Sequence, residues 1–287
     1  MNFVSTDQLY QDMTAWERQL PEFDAVCGVP RSGLIPAAHI ALRRNIRMVA
    51  LNELLANPAG AIERAVLRKS NPVVCLKKPF GNRLLIVDDS SSNKSVTFTE
   101  LRGALAAQTS LEISYGAVYR AGPASQVDHF YREVPMPRMF GWNWYRHAHM
   151  RSAMLDMDGV LCEDWKRRPE VAEDPEFLRH VHEARPLYLP DIPVRAVVTS
   201  RIERYREATV AWLERHGVKY GQLIMHPAAT PEHRRAMNDH AERKANAYYR
   251  DVRATLFIES DAKQAATIFR ITKAPVLCVD NMTLLSL

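Results

Sequence analysis

The sequence predicts an α/β protein built from two doubly wound, mainly parallel sheets. Three observations carry that expectation. Short apolar runs alternate with helix-forming stretches along the chain, the pattern of parallel strands joined by right-handed crossovers. Several of these runs end in clusters of polar residues, Asp88-Asp89, Asp156-Met157-Asp158-Gly159, Thr199-Ser200 and Glu259-Ser260-Asp261 among them. A length of 287 residues makes two domains the natural expectation. The division read from the sequence is residues 1–130, a Pro- and aromatic-rich connection at 131–151, and residues 152–287.

Composition bounds the functional classes. Hydrophobic residues at 47% supply enough material for real cores, and a formal charge of +5 suits anionic small molecules. Arg and Lys are spread along the chain without a dense basic tract, which argues against a nucleic-acid partner. No apolar run approaches a transmembrane length, and Met1-Asn2-Phe3-Val4 lacks the basic start and apolar core of a secretion signal. A cytoplasmic location and no membrane partner are expected, and self-association stays open. Cys27, Cys75, Cys162 and Cys278 are scattered without a CxxC pair, so reduced core thiols are expected.

In the first half, Asp7 to Leu20 reads as a helix ended by Pro21. A buried strand at Asp24 to Gly28 then enters the turn Val29-Pro30-Arg31-Ser32-Gly33, followed by a helix through Arg44. Amides of such a turn at a helix N-terminus, beside Arg31, make an anion site, although a plain βα turn explains the stretch equally. Arg83 to Val87 is a second strand, ending in Asp88 and Asp89. A loop of Ser90, Ser91, Ser92, Asn93, Lys94 and Ser95 leads to a helix from Val96 to Ala107. Adjacent carboxylates can accept from vicinal ribose hydroxyls, and a small-residue loop entering a helix can hold phosphate, so the pair fits a ribose 5-phosphate. Leu111 to Tyr119 adds another strand.

The turn at Val29–Gly33, the acidic pair and the loop after it together resemble the type I phosphoribosyltransferases. The resemblance implies phosphoribosyl pyrophosphate (PRPP) and nucleotide as ligands. Arg31, Ser32 and Gly33 would hold pyrophosphate, and Asp88, Asp89 and Ser90 to Ser95 the ribose 5-phosphate. It also implies a loop closing over substrate between Asn52 and Phe80, where Arg64, Arg68, Lys69, Lys77 and Lys78 lie. The phosphate loop departs from the family pattern, with Ser92-Asn93-Lys94-Ser95 where Thr-Gly-Gly-Thr is usual.

The connection combines Pro135 and Pro137 with Phe140, Trp142, Trp144 and Tyr145, and reads as extended chain and hydrophobic seam. His147 and His149 read as exposed linker residues, not metal ligands.

The second half opens on Met154-Leu155-Asp156-Met157-Asp158-Gly159. Two carboxylates at i and i+2 share a face where the chain leaves a strand, and they repel unless a cation or proton lies between them. Mg²⁺, a hard cation that takes carboxylate and phosphate oxygens, answers that need. Arg195 to Thr199 is the next strand, Ile202 to His216 a helix, Gln222 to Met225 a short strand, and His233 to Tyr249 one long helix carrying Lys244. Thr255 to Glu259, a helix from Asp261 to Arg270, and Pro275 to Val279 complete a parallel sheet.

A DxD strand, a hydroxyl strand end, a Lys and an acidic strand end, in that order, resemble the haloacid dehalogenase (HAD)-like phosphohydrolases. The resemblance implies that Asp156 attacks phosphorus, Asp158 transfers protons, and Thr199 and Lys244 hold phosphoryl oxygens. Mg²⁺ would be held by Asp156, Asp158 and an acidic residue of the last motif, Glu259 first and Asp261 second. The expected whole is a bifunctional nucleotide-metabolism enzyme, with phosphoribosyl transfer to a base and phosphomonoester hydrolysis. The alternatives are a phosphatase with a PRPP- or nucleotide-sensing domain, and a nucleotide-binding regulator.

Overall fold

The computed structural model describes residues 1–58, 61, 81–92, 97–107, 111–165 and 173–287. Asn93, Lys94 and Ser95 of the expected phosphate loop lie outside them. So do Cys75 and the loop cations Arg64, Arg68, Lys69, Lys77 and Lys78. The chain forms two compact units, one of Asn2 with Val4–Arg138, the other of Met1 and Phe3 with Met139–Leu287.

The N-terminal unit follows β1 (Asn2–Val4) with α1 (Thr6–Glu17). Ser5 caps α1 by accepting the Gln8 N–H at 3.1 Å. Next come β2 (Ala25–Gly28), α2 (Leu34–Arg44), β3 (Arg47–Val49), α3 (Leu51–Ala56), β4 (Arg83–Ser91), α4 (Thr97–Leu105), β5 (Glu112–Arg120) and β6 (His129–Glu133). The sheet runs β3-β2-β4-β5-β6, every neighbouring pair parallel. Strand alternation sorts the core: Leu84 and Ile86 pack with Phe98, Leu101 and Leu105 of α4, while Leu85 and Val87 point to the other face. Asp12 on α1 is buried and accepts from Gln8 and from Tyr119 on β5, at 2.8 and 2.7 Å, and pairs with Arg132 on β6 at 2.9 Å. That triple satisfaction makes a buried carboxylate tolerable and pins α1 to the sheet.

In this order the crossover leaving β2 runs to β3 and the one leaving β4 runs the other way to β5, which opens a crevice at the C-terminal ends of β2 and β4. One expectation is corrected. β4 does not stop before the carboxylates but runs to Ser91, because β5 continues alongside it, pairing Ser90 with Tyr119 and Ser91 with Arg120. Asp88 and Asp89 are therefore residues within the strand, with their carboxyls in contact, and do not mark its end.

β7 (Arg138–Phe140) follows where the chain passes from one unit to the other. The C-terminal unit then contains β8 (Ala153–Leu155), α5 (Glu173–Glu183), β9 (Val194–Ile202), α6 (Arg206–Arg215) and β10 (Tyr220–His226). It continues with α7 (Pro231–Met237), α8 (His240–Arg250), β11 (Leu256–Glu259), α9 (Ala262–Thr272), β12 (Val276–Cys278) and β13 (Thr283–Leu285). The order is β10-β9-β8-β11-β12-β13. Leu155, Val197 and Ile258 face one core with Trp212 and Leu213 of α6. Met154, Ala196, Val198 and Phe257 face the other, with Ala241, Ala245 and Tyr248 of α8 and Ala265 and Ile268 of α9. Both faces are covered, which is why these strands read as continuous apolar runs.

Three readings of this half are corrected. β9 passes Thr199 and ends at Ile202, with a 3-10 turn at Glu203–Tyr205 before α6. The single helix expected over His233–Tyr249 is two, because Asn238 adopts the left-handed conformation (φ 45°) and ends α7. The sheet is not wholly parallel: β13 adds an antiparallel edge that lacks any apolar run long enough to have flagged it. As expected, Cys27, Cys162 and Cys278 are free and buried. Among the described residues, no helix is long and apolar enough to cross a membrane.

Gly33 gives a direct test of the N-terminal crevice. A Cβ there would lie 2.5 Å from the Val29 carbonyl oxygen and 2.7 Å from that of Val87, both backbone atoms that cannot swing aside. Gly33→Ala should lower stability by roughly 1–3 kcal/mol in a denaturant titration, as overpacking does.

Candidate functional site

In each unit the polar strand ends expected from sequence meet at the switch point of the sheet. In the C-terminal unit this lies between β8 and β11, where Asp156 leaves one strand and Glu259 closes the other. Lys244, from the middle of α8, reaches both: its Nζ donates to Asp156 Oδ2 at 2.7 Å, Glu259 Oε2 at 2.7 Å and Gln264 Oε1 at 3.0 Å. The remaining carboxylate oxygens are held by backbone. Asp156 Oδ1 accepts from Met157 N–H at 2.8 Å, and Glu259 Oε1 from Ser260 and Asp261 N–H at 2.9 and 3.2 Å. Glu259 is fully buried and Lys244 is 3% exposed.

The electrostatics follow from that burial. Burial pushes Asp156 well above the usual carboxylate range, against the pull of Lys244 and with the push of Glu259. Burial works against the Lys244 ammonium, but Asp156 and Glu259 outweigh it and hold its pKa above the ordinary value. Two carboxylates thus share one ammonium, so without a second cation the surplus negative charge is relieved by a proton on Asp156, and a bound cation takes that proton's place.

Asp158 is occupied differently. Burial would raise its pKa, but Arg201 prevails. Its Nε and Nη2 donate to Oδ2 and Oδ1 at 2.9 and 2.6 Å, and His180 approaches Oδ1 at 3.4 Å, so the carboxyl is held far below its usual range. Arg201 is 1% exposed and also donates to Cys162 Sγ at 3.3 Å. Asp158, Cys162 and His180 bring ligand-type atoms within 4.8 Å of one another, but the guanidinium already supplies the positive charge at that cluster. The Asp158 carbonyl instead accepts from Ser260 Oγ at 3.4 Å. Gly159 makes the turn after it at φ 82°, and a Cβ there would lie 2.2 Å from Ser260 Oγ.

A cavity of about 240 Å³ opens over this cluster, lined by Asp156, Asp158, Glu259, Asp261, Lys244 and Gln264, and by Ser200, Arg234 and His240. Ser200, and not Thr199, reaches it. Thr199 is buried and its Oγ1 accepts from Arg201 N–H at 3.1 Å. Asp261 lines the cavity while capping α9 through the Gln264 N–H at 2.7 Å. Asp156, Lys244 and Glu259 are thus in contact, whereas Thr199 stands apart. The sequence reading missed Arg201, His180, Gln264, Arg234 and His240. The sequence signal for Arg201 is its place two residues beyond Thr199 on a strand, which gives the two a shared face without marking Arg201 as buried or paired. The donor set of Asp156, Glu259 and the Asp158 carbonyl is all hard oxygen with surplus negative charge, which fits Mg²⁺.

In the N-terminal unit the turn after β2 meets β4. Val29 N–H donates to Val87 O at 2.9 Å, and Ser32 Oγ donates to Asp89 Oδ1 at 2.9 Å. Asp89 is 3% exposed. Burial and the neighbouring Asp89 push Asp88 up to about 9, so Asp88 carries a proton at neutral pH. Arg31 is exposed beside this turn, and Ser90 and Ser92 are half-buried. Ser91 is buried, and its carbonyl accepts from Arg138 Nη2 at 3.0 Å and from Ala121 N–H at 3.0 Å.

No protein-family model matches the chain, and no curated protein matches it. Among solved structures it is similar to the Helicobacter pylori xanthine-guanine-hypoxanthine phosphoribosyltransferase, at 14% identity over 49% of this chain and 92% of that one, with a TM-score of 0.35. The purine phosphoribosyltransferase from Pyrococcus horikoshii Ot3 gives 20% identity over 49% and 92%, with a TM-score of 0.34. A chain of the Pnkp1/Rnl/Hen1 complex gives 14% identity over 90% and 97%, with a TM-score of 0.30.

Two outcomes test these sites. Lys244→Met strands Asp156 and Glu259 as buried carboxylates and should cost roughly 3–5 kcal/mol in chemical denaturation. Adding Asp156→Asn and Glu259→Gln should recover most of that loss. For Asp88, the folded pKa lies above the unfolded one. The stability it contributes is therefore complete below about pH 4 and is lost as pH rises toward about 9, at about 1.4 kcal/mol per unit within that window. Asp88→Asn should remove that slope, so its Tm should gain on wild type progressively from pH 5 to pH 9.

Proposed function

We propose that the chain is a bifunctional enzyme of nucleotide metabolism, with a magnesium-dependent phosphomonoester hydrolase at Asp156 and a PRPP-binding phosphoribosyl-transfer site at the crevice between β2 and β4. The observation that supports the first activity best is the buried Asp156–Lys244–Glu259 bridge at a switch point, in a HAD-like order of motifs.

Asp156 Oδ attacks phosphorus, the bond to the leaving oxygen breaks, and an aspartyl-phosphate forms. Water then attacks that phosphorus, frees inorganic phosphate and returns the Asp156 carboxylate. Asp156, Glu259 and the Asp158 carbonyl would hold Mg²⁺, which when bound would supply charge neutralisation at the phosphoryl oxygens. Lys244 keeps Asp156 oriented and offsets its charge as it attacks. The Arg201 clamp keeps Asp158 ionised, which suits it to take the proton from attacking water. Giving a proton to the leaving oxygen in the first step requires Asp158 first to take one up from solvent, with one of its oxygens released from Arg201.

For the second activity, the turn Arg31-Ser32-Gly33 would take the pyrophosphate, and Asp88 and Asp89 the ribose hydroxyls. The contact between Ser32 and Asp89 supports this by joining the two halves of the expected site. A sensing role for this unit, with hydrolysis the sole chemistry, is the second reading. It is favoured by Ser92-Asn93-Lys94-Ser95, whose lack of glycine restricts how closely backbone wraps phosphate.

With Mg²⁺ and a panel of nucleoside monophosphates, wild type should release inorganic phosphate, and Asp156→Asn should lose at least about a thousandfold in kcat. Equal release by both proteins refutes the hydrolase. Base-dependent release of pyrophosphate from PRPP separates transfer from sensing.

A further inference from the structure

The wall of the cavity over Asp156 is chemically mixed. Asp156, Asp158 and Glu259 are accounted for by the hydrolysis proposed above, and Asp164 and Asp261 add further carboxylates. The part with Ser200, Arg234 and His240 is not accounted for. Arg234 Nη1 donates to the Ser200 carbonyl at 3.3 Å, but among the described residues neither its buried Nε nor the buried Nδ1 of His240 has a hydrogen-bond partner. A buried polar nitrogen without a partner is destabilising, and both side chains line one cavity, so an anionic ligand that draws them toward it relieves that cost.

That part is also electropositive. Burial, Arg234, His226 and Lys244 all push His240 below its usual range, and Asp239 alone opposes them. Asp239 is itself engaged, by His226 at 3.0 Å and Arg243 at 3.3 Å. Nor can Lys244 serve an anion on this side, since its three bonds run to Asp156, Glu259 and Gln264. Ser200, His240 and Lys244 further line a larger groove of about 650 Å³ that also carries Arg243, Arg250 and Arg253, together with Arg195 paired to Asp251.

We infer that the substrate of the Asp156 site is a phosphomonoester bearing a second anionic group, a phosphate or a carboxylate, which Arg234 and His240 bind while the first phosphoryl group faces Asp156. This rests on the hydrolase reading. Arg234 and His240 act here as specificity-determining residues, through charge-assisted hydrogen bonds to the non-reacting end.

The test is steady-state hydrolysis by the full chain with Mg²⁺, using two matched pairs: adenosine 3′,5′-bisphosphate against adenosine 5′-monophosphate, and 2-phosphoglycolate against ethyl phosphate. The doubly anionic member of at least one pair should have about tenfold or greater advantage in kcat/KM, carried mainly by KM. The pair that shows it identifies phosphate or carboxylate as the second anion. In Arg234→Gln that advantage should collapse to within about twofold, and Arg234→Lys should retain part of it. His240→Gln should reduce it as well, which keeps the inference testable if one variant fails to fold. A ratio near one in both pairs for wild type, with Asp156→Asn inactive, overturns the second-anion site and leaves the hydrolase standing. Equal losses on both members of a pair in Arg234→Gln also overturn it, because Arg234 then serves the reacting phosphoryl. Hydrolysis no greater than that of Asp156→Asn on all four compounds removes the hydrolase reading and this inference together.

Discussion

One buried ammonium organises the C-terminal unit. Lys244 draws together a carboxylate leaving β8 and another closing β11, and adds the side-chain amide of Gln264 from α9. None of the three acidic or basic partners would be tolerable alone at that depth, since an isolated buried charge is strongly unfavourable. Each is there because the others are. The bridge fixes where α8 sits along the sheet, and it leaves facing the cavity a surplus charge that a proton or a cation balances. Structural necessity and chemical readiness are the same contact.

The two units solve a common problem with different materials. Both place polar strand ends at the point where crossovers diverge, which leaves a crevice without interrupting the apolar layers beneath. The C-terminal unit fills its crevice with charge pairs. The N-terminal unit uses a proton: Asp88, pushed up to about 9, is neutral at ordinary pH and so needs no cation for its burial. A ligand or metal that demands the ionised form must displace that proton, so its binding weakens as pH falls.

What the sequence made legible was the apolar strands and the polar residues that directly follow them. Asp156 and Glu259 could be read because burial on both faces forces a continuous apolar run, and the run ends where the polar crevice begins. Lys244 could be read from the order of motifs. Lengths were less legible. β4 and β9 run on through Asp88–Ser91 and Ser200–Ile202 because neighbouring strands keep pairing there, a tertiary fact that local polarity contradicts. The partners of Asp158 were hidden for another reason. Arg201 and His180 lie 43 and 22 residues away, and a charged side chain in sequence gives no sign of whether it will be solvated or buried against a carboxylate. Thr199 shows the converse: a hydroxyl at the expected position, turned to its own backbone while Ser200 faces the cavity.

The break at Asn238 has a geometric effect beyond ending a helix. Arg234 and His240 are six residues apart, and on one uninterrupted helix they would point about 120° apart around its axis. Residues so separated cannot share one wall of a small cavity. By turning left-handed, Asn238 resets the rotational phase between α7 and α8, and the two side chains arrive at the same surface. A single residue's backbone conformation thus works as a vernier, setting the bearing of one cation against the other.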